Sequence, residues 1–114
     1  MGIVIVERPI PKQELSAMAE RQFGNLVKAV VDVERDVMAI GGELHADGEA
    51  LLLEQGSGQE HLWGINLYPA KSAEDWIEFD SIINIRPSQK NPSRGIEDPA
   101  IQHRIRGVVA KLVS

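Results

Sequence analysis

The 114-residue sequence has no cysteine, which excludes disulfide bonds and cysteine-ligated metals. Aromatic residues make up only 4% of it, so valine, isoleucine and leucine must fill the interior. No apolar run approaches the roughly 20 residues that a helix needs to cross a bilayer. The opening MGIVIVERPIPK lacks the basic n-region and cleavage pattern of a signal peptide. There is no glycine-rich phosphate loop, and Ser57 in QGSGQEH lacks the G-x-S-x-G frame of a nucleophile elbow. Lysine and arginine are missing between Arg35 and Lys71, where Asp36, Glu43, Asp47, Glu49, Glu54 and Glu60 carry the only full charges. These absences point to a cytoplasmic protein with no membrane segment and no resident cofactor.

What is present suits one compact domain over residues 1–114, with 43% hydrophobic and 25% charged residues. The net charge of −5 is unevenly placed. Residues 1–80 hold six Lys/Arg against fifteen Asp/Glu, whereas residues 81–114 hold six against two. Opposite halves of this kind attract each other within one chain or between two copies, so self-association is one expectation. The acidity of the whole opposes nonspecific nucleic-acid binding.

IVIVE at 3–7 predicts a short β-branched strand. KQELSAMAERQFG predicts a helix with Leu15, Met18, Ala19 and Phe23 on its buried face and Gly24-Asn25 as its stop. Residues 26–42 alternate as a hairpin turning at Glu34-Arg35-Asp36, with Val27, Ala29, Val31 and Val33 on one face and Lys28, Val30 and Asp32 on the other. ALLL before Gly56 predicts a helix over about 46–55. HLWGINLYP (61–69) and WIEFDSIINIRP (76–87) read as a second hairpin, with Tyr68 opposite Trp76, Asn66 opposite Glu78 and Gly64 opposite Asp80. Its core face would carry Trp63, Ile65, Leu67, Ile77, Phe79, Ile83 and Ile85. Its other face would carry Asn66, Glu78, Asp80, Ile82, Asn84 and Arg86. Two prolines and Gly95 exclude regular structure over 87–97. Asp98-Pro99 then opens a helix with Ile101, Ile105, Val108, Val109 and Leu112 as its buried stripe. The order β-α-ββ-α-ββ-α predicts an α+β fold: a mainly antiparallel sheet of about five strands (two hairpins plus the N-terminal strand) with about three helices.

The blocks VDVERDVMAIGGELHADGEALLLEQGS, LWGINLYP and IEFDSIINIRPSQKNPSRGIEDP, followed by an arginine-bearing helix, resemble a family of small prokaryotic proteins with only a domain-of-unknown-function label. The likeness covers nearly the whole chain. It implies a single compact domain and supplies no activity, cofactor or catalytic residue.

Three groups of residues could carry function. Asn84, Arg86, Lys90, Asn91, Ser93 and Arg94, with Ser88 and Gln89, offer guanidinium forks, an ammonium and neutral donors suited to an anion. The helix start at Asp98 lies close by and would add its dipole. His45, Asp47 and Glu49 alternate, and as an extended segment they would present a facial set to a divalent metal; on a helix they would splay. Glu78 and Asp80, one residue apart on a strand, would point the same way and suit acid–base or metal chemistry. The first reading is therefore a non-enzymatic binding or interaction module that uses 86–94 to contact an anionic small molecule or an acidic protein surface. The second is a small metal-dependent hydrolase built on the acidic sheet face or the His45 set.

Overall fold

Alternation of β-branched and small residues in the first half of the chain builds the centre of a sheet. The computed structural model describes residues 2–114. Strand β1 is Val4–Val6, β2 Val27–Asp32, β3 Val37–Ile40, β4 Leu62–Leu67 and β5 Ile77–Glu78; helix α1 is Lys12–Arg21, α2 His45–Glu54 and α3 Pro99–Leu112. The strands form one antiparallel sheet in the order β1-β3-β2-β4-β5. The α+β expectation therefore holds, with five strands and three helices.

The two faces of β2 sort the helices. Val27, Ala29 and Val31 join Leu15, Met18 and Ala19 of α1 and Ile105, Val108, Val109 and Leu112 of α3 in the larger core. On the opposite face Val30 packs with Ala39, Leu62 and Leu52 of α2 in a smaller cluster. Gly48 lets α2 come close: a Cβ there would lie 3.1 Å from Val30 Cγ2 and 3.4 Å from Ala39 Cβ. The glycine's propensity cost of about 1 kcal/mol relative to alanine is thus tied to helix–sheet contact. Among the described residues, no helix is long and apolar enough to cross a membrane.

Local signals place the element ends. Asp98 Oδ1 accepts from Ala100 N at 2.9 Å, capping α3 in front of Pro99 as the sequence predicts. At the first hairpin turn Asp32, fully buried, accepts from the Glu34 and Arg35 amides and from Ser57 Oγ. Phe23 departs from expectation. α1 stops at Arg21, so the ring leaves the helical face, is 42% exposed and lies under the Lys28 ammonium. Each of the five aromatic rings carries a cation: Lys12 on Trp76, Lys28 on Phe23, Lys71 on Tyr68, Arg86 on Trp63 and Arg106 on Phe79.

The second hairpin is where the sequence reading needs correction. The register at its mouth is as expected: Asn66 pairs with Glu78, and Tyr68 N donates to Trp76 O at 2.8 Å. β5 nevertheless ends after two residues, instead of running to 87. Residues 79–81 leave the edge, Ile82–Asn84 form a 3-10 turn, and Ile82 and Ile85 are exposed rather than alternating between faces. Opposite Gly64 stands the side chain of Asn84, not the backbone of Asp80. Its Oδ1 accepts from Gly64 N at 2.8 Å and its Nδ2 donates to Gly64 O at 2.9 Å. A carboxamide has the donor and acceptor of a peptide, so Asn84 continues the ladder without a strand. Gly64 is required there, because a Cβ would stand 2.6 Å from Ser81.

Candidate functional site

The polar residues of 84–94 divide into those that build the loop and those left at its surface. Asn84 is fully buried, and its Nδ2 also donates to Arg94 O at 3.0 Å. Asn91, likewise buried, donates through Nδ2 to the carbonyls of Asn84 (2.7 Å) and Gly95 (2.8 Å), and its Oδ1 accepts from Glu97 N. Arg86 and Asn91 exchange backbone bonds across a tight loop. The Arg86 guanidinium lies 4.1 Å from the centroid of the Trp63 ring and donates to the carbonyls of Gln59 and Leu62. Burial pushes the Arg86 pKa down, while Glu49 and Glu60 oppose that shift. Three of the six expected ligand contacts thus serve the architecture.

Lys90, Ser93 and Arg94 remain exposed. Lys90 sits at the loop tip with a left-handed φ of 60°. Arg94 is held from behind, since its carbonyl accepts from Ser81 N as well as Asn84 Nδ2. Its Nε donates to Asp80 Oδ1 at 2.7 Å, joining the cationic and acidic parts of the sequence within one chain, as Lys111 does with Asp36. The α3 start, capped by its own Asp98, has one of its free amides already satisfied.

The acidic candidates do not gather. His45, Asp47 and Glu49 lie on α2, where helical spacing splays them, and no cluster of three or more metal-ligating side chains occurs among the described residues. Glu78 Oε1 accepts from Asn66 Nδ2 (2.8 Å) and Tyr68 Oη (2.9 Å), and Asp80 has left the strand to meet Arg94. Burial, with the Glu78 contact second, raises the Tyr68 pKa.

A different set converges. Lys28, Leu44, His45, Ala46, Ser81, Ile82, Ile83 and Arg94 line a cavity of about 230 Å³ between the start of α2 and the 80–94 segment. Leu44 stands at the N-cap of α2 and offers no side-chain cap, so the positive end of that helix opens here without one. Lys28, the only charge in the strand VKAVVD before its last residue, forms no ion pair among the described residues. His45 Nε2 donates to the Ile65 carbonyl at 2.8 Å; a carbonyl only accepts, so Nε2 carries the proton. Burial lowers the His45 pKa, with Lys28 adding to the effect and the Ile65 bond and Asp80 opposing it. The ring is therefore neutral at pH 7, with Nδ1 as an acceptor. Beside it, Asn66 Oδ1 is buried and makes no hydrogen bond among the described residues.

Of these lining residues the sequence singled out Arg94 and, for another role, His45. Lys28, Leu44, Ser81 and Ile83 were not legible as a group because they come from three separate segments. Two local signals existed: one lysine in an otherwise apolar stretch, and leucine where a capping Ser, Thr, Asp or Asn is favoured.

A family model described as Protein of unknown function (DUF5674) matches residues 4–112, and the chain belongs to that family. Neither the curated proteins nor the solved structures contain a match to it.

Proposed function

We propose that this member of the DUF5674 family is a non-enzymatic binding module whose anion site is the cavity between the start of α2 and Arg94. The observation that carries the reading is the meeting of Lys28, Arg94 and an uncapped helix N-terminus at one concave place in an acidic protein. Backbone amides, an ammonium and a guanidinium are the groups that hold a phosphate or carboxylate, and the helix dipole acts in the same direction. Arg94 contributes although Nε is engaged, because its guanidinium has two further nitrogens. The segment 86–94 expected from sequence enters this reading through Arg94 alone; Arg86, Asn84 and Asn91 support it from behind. The lack of cysteine agrees with a cytoplasmic setting.

The test is thermal unfolding with inorganic phosphate at constant ionic strength, comparing the wild type with a Lys28→Ala, Arg94→Ala double variant. At ten times the dissociation constant, linkage stabilises by roughly 1.4 kcal/mol. The wild type should gain a few degrees that the variant does not. Equal shifts in both proteins reflect the general salting effect of phosphate and refute the site.

A further inference from the structure

We infer that the ligand of this site is an amphipathic anion, a carboxylate or phosphate head on an apolar body, with the body lying over Leu44 toward Phe23. The inference rests on the anion reading above and goes further by fixing the ligand class.

A second cavity adjoins the anion cavity. A groove of about 480 Å³ lined by Arg21, Gln22, Phe23, Lys28, Glu43 and Leu44 shares Lys28 and Leu44 with the first. The side chains around the two cavities are of two kinds. Lys28 stands where the cavities meet, with the α2 start and Arg94, whose Nε is paired with Asp80, on the side of the first and Arg21 and Glu43 on the side of the second. Leu44, Ile82 and Phe23 flank the cavities, exposed by 59%, 67% and 42% respectively, and Ile83 lines the first. Single exposed apolar residues are ordinary, but three large ones around adjoining cavities, next to a lysine with no carboxylate partner among the described residues, mark a surface that gains by being covered. A purely polar anion would leave all three in water. A neutral apolar molecule would bury the Lys28 ammonium without a counter-charge, which is unfavourable. An amphipathic anion satisfies both demands, and a size of some hundreds of cubic ångströms suits a small molecule.

Titration calorimetry below the micellar range tests this with acetate, butanoate, hexanoate, octanoate, octyl phosphate, neutral octanol and inorganic phosphate. Each methylene that the cleft buries should tighten binding about four-fold. Octanoate or octyl phosphate should therefore exceed acetate or inorganic phosphate by at least 50-fold, and octanol should bind far more weakly than octanoate. The two head groups distinguish a carboxylate from a phosphate ligand. In a Phe23→Ser variant, whose site is exposed and lies outside the lining of the anion cavity, the dependence on chain length should weaken while phosphate binding stays unchanged. Inorganic phosphate binding without dependence on chain length overturns this inference and leaves the anion site standing. Octanol as tight as octanoate overturns it as well. Octanoate binding that survives Lys28→Ala with Arg94→Ala shows attachment elsewhere and refutes both.

Discussion

Replacing Asn84 by alanine isolates the device on which the candidate site depends. The carboxamide forms two bonds with the backbone of Gly64, at 2.8 and 2.9 Å, and one with Arg94 O at 3.0 Å. All lie where Asn84 is fully buried. Arg94 O retains its bond from Ser81 N, so the alanine variant orphans chiefly the amide and carbonyl of Gly64. A buried backbone group left unpaired costs about 1–3 kcal/mol. Two of them, softened by local relaxation, give an expected loss of roughly 2–4 kcal/mol. That is a large share of the 5–15 kcal/mol typical of a domain and corresponds to a melting point lower by roughly 10 °C. Asn84→Asp serves as a control. It keeps an acceptor for Gly64 N but turns a carboxylate oxygen toward two carbonyls, so it should be at least as destabilising. Urea unfolding measures the loss, and amide hydrogen exchange locates it, because the Gly64 N–H should lose protection first. A change below about 0.5 kcal/mol with Gly64 still protected would show that the edge of β4 does not need this substitute strand.

Two further predictions concern the same region. Burial lowers the His45 pKa, so above the ordinary value of about 6.5 both folded and unfolded forms are neutral and its contribution is intact. As pH falls through 6.5 toward the lower folded value, the unfolded chain takes up the proton first and stability drops by at most about 1.4 kcal/mol per pH unit. The wild type should show this slope and His45→Gln, whose amide can still donate to Ile65, should lack it; parallel pH profiles for the two proteins would contradict the assignment. Gly64→Ala should destabilise by roughly 1–3 kcal/mol through overpacking, since Ser81 Cβ and Oγ stand 2.6 Å from the added carbon. Chemical denaturation of that variant within a few tenths of wild type would mean that the 81–84 turn yields freely.

Much of the framework is written in local patterns. Alternation at Val27–Asp32 separates the two faces, the stripe from Ile105 to Leu112 forms the buried side of α3, and Asp98-Pro99 marks its start. These features repeat at fixed period and need no knowledge of distant residues. The pairing of Asn66 with Glu78 was also legible, because the loop length fixes the hairpin mouth. The end of β5 was not. The alternating stretch after Glu78 has the pattern of a strand, yet a long-range contact from Asn84 to Gly64 supplies the ladder bonds that a strand would have made. Phe23 was misread for a related reason: helical periodicity continues past the point where α1 stops.

Composition and spacing by themselves determined the fold class, the two-faced sheet and the start of α3, since each follows from neighbours a few residues apart. Tertiary structure alone decided which polar groups are free. Asn84, Asn91 and Arg86 are spent on backbone partners as far as twenty-seven positions away, whereas Lys28, Arg94 and the start of α2 are brought together at one cavity. A donor's availability depends on what it meets after folding, and that information lies in no short stretch of chain.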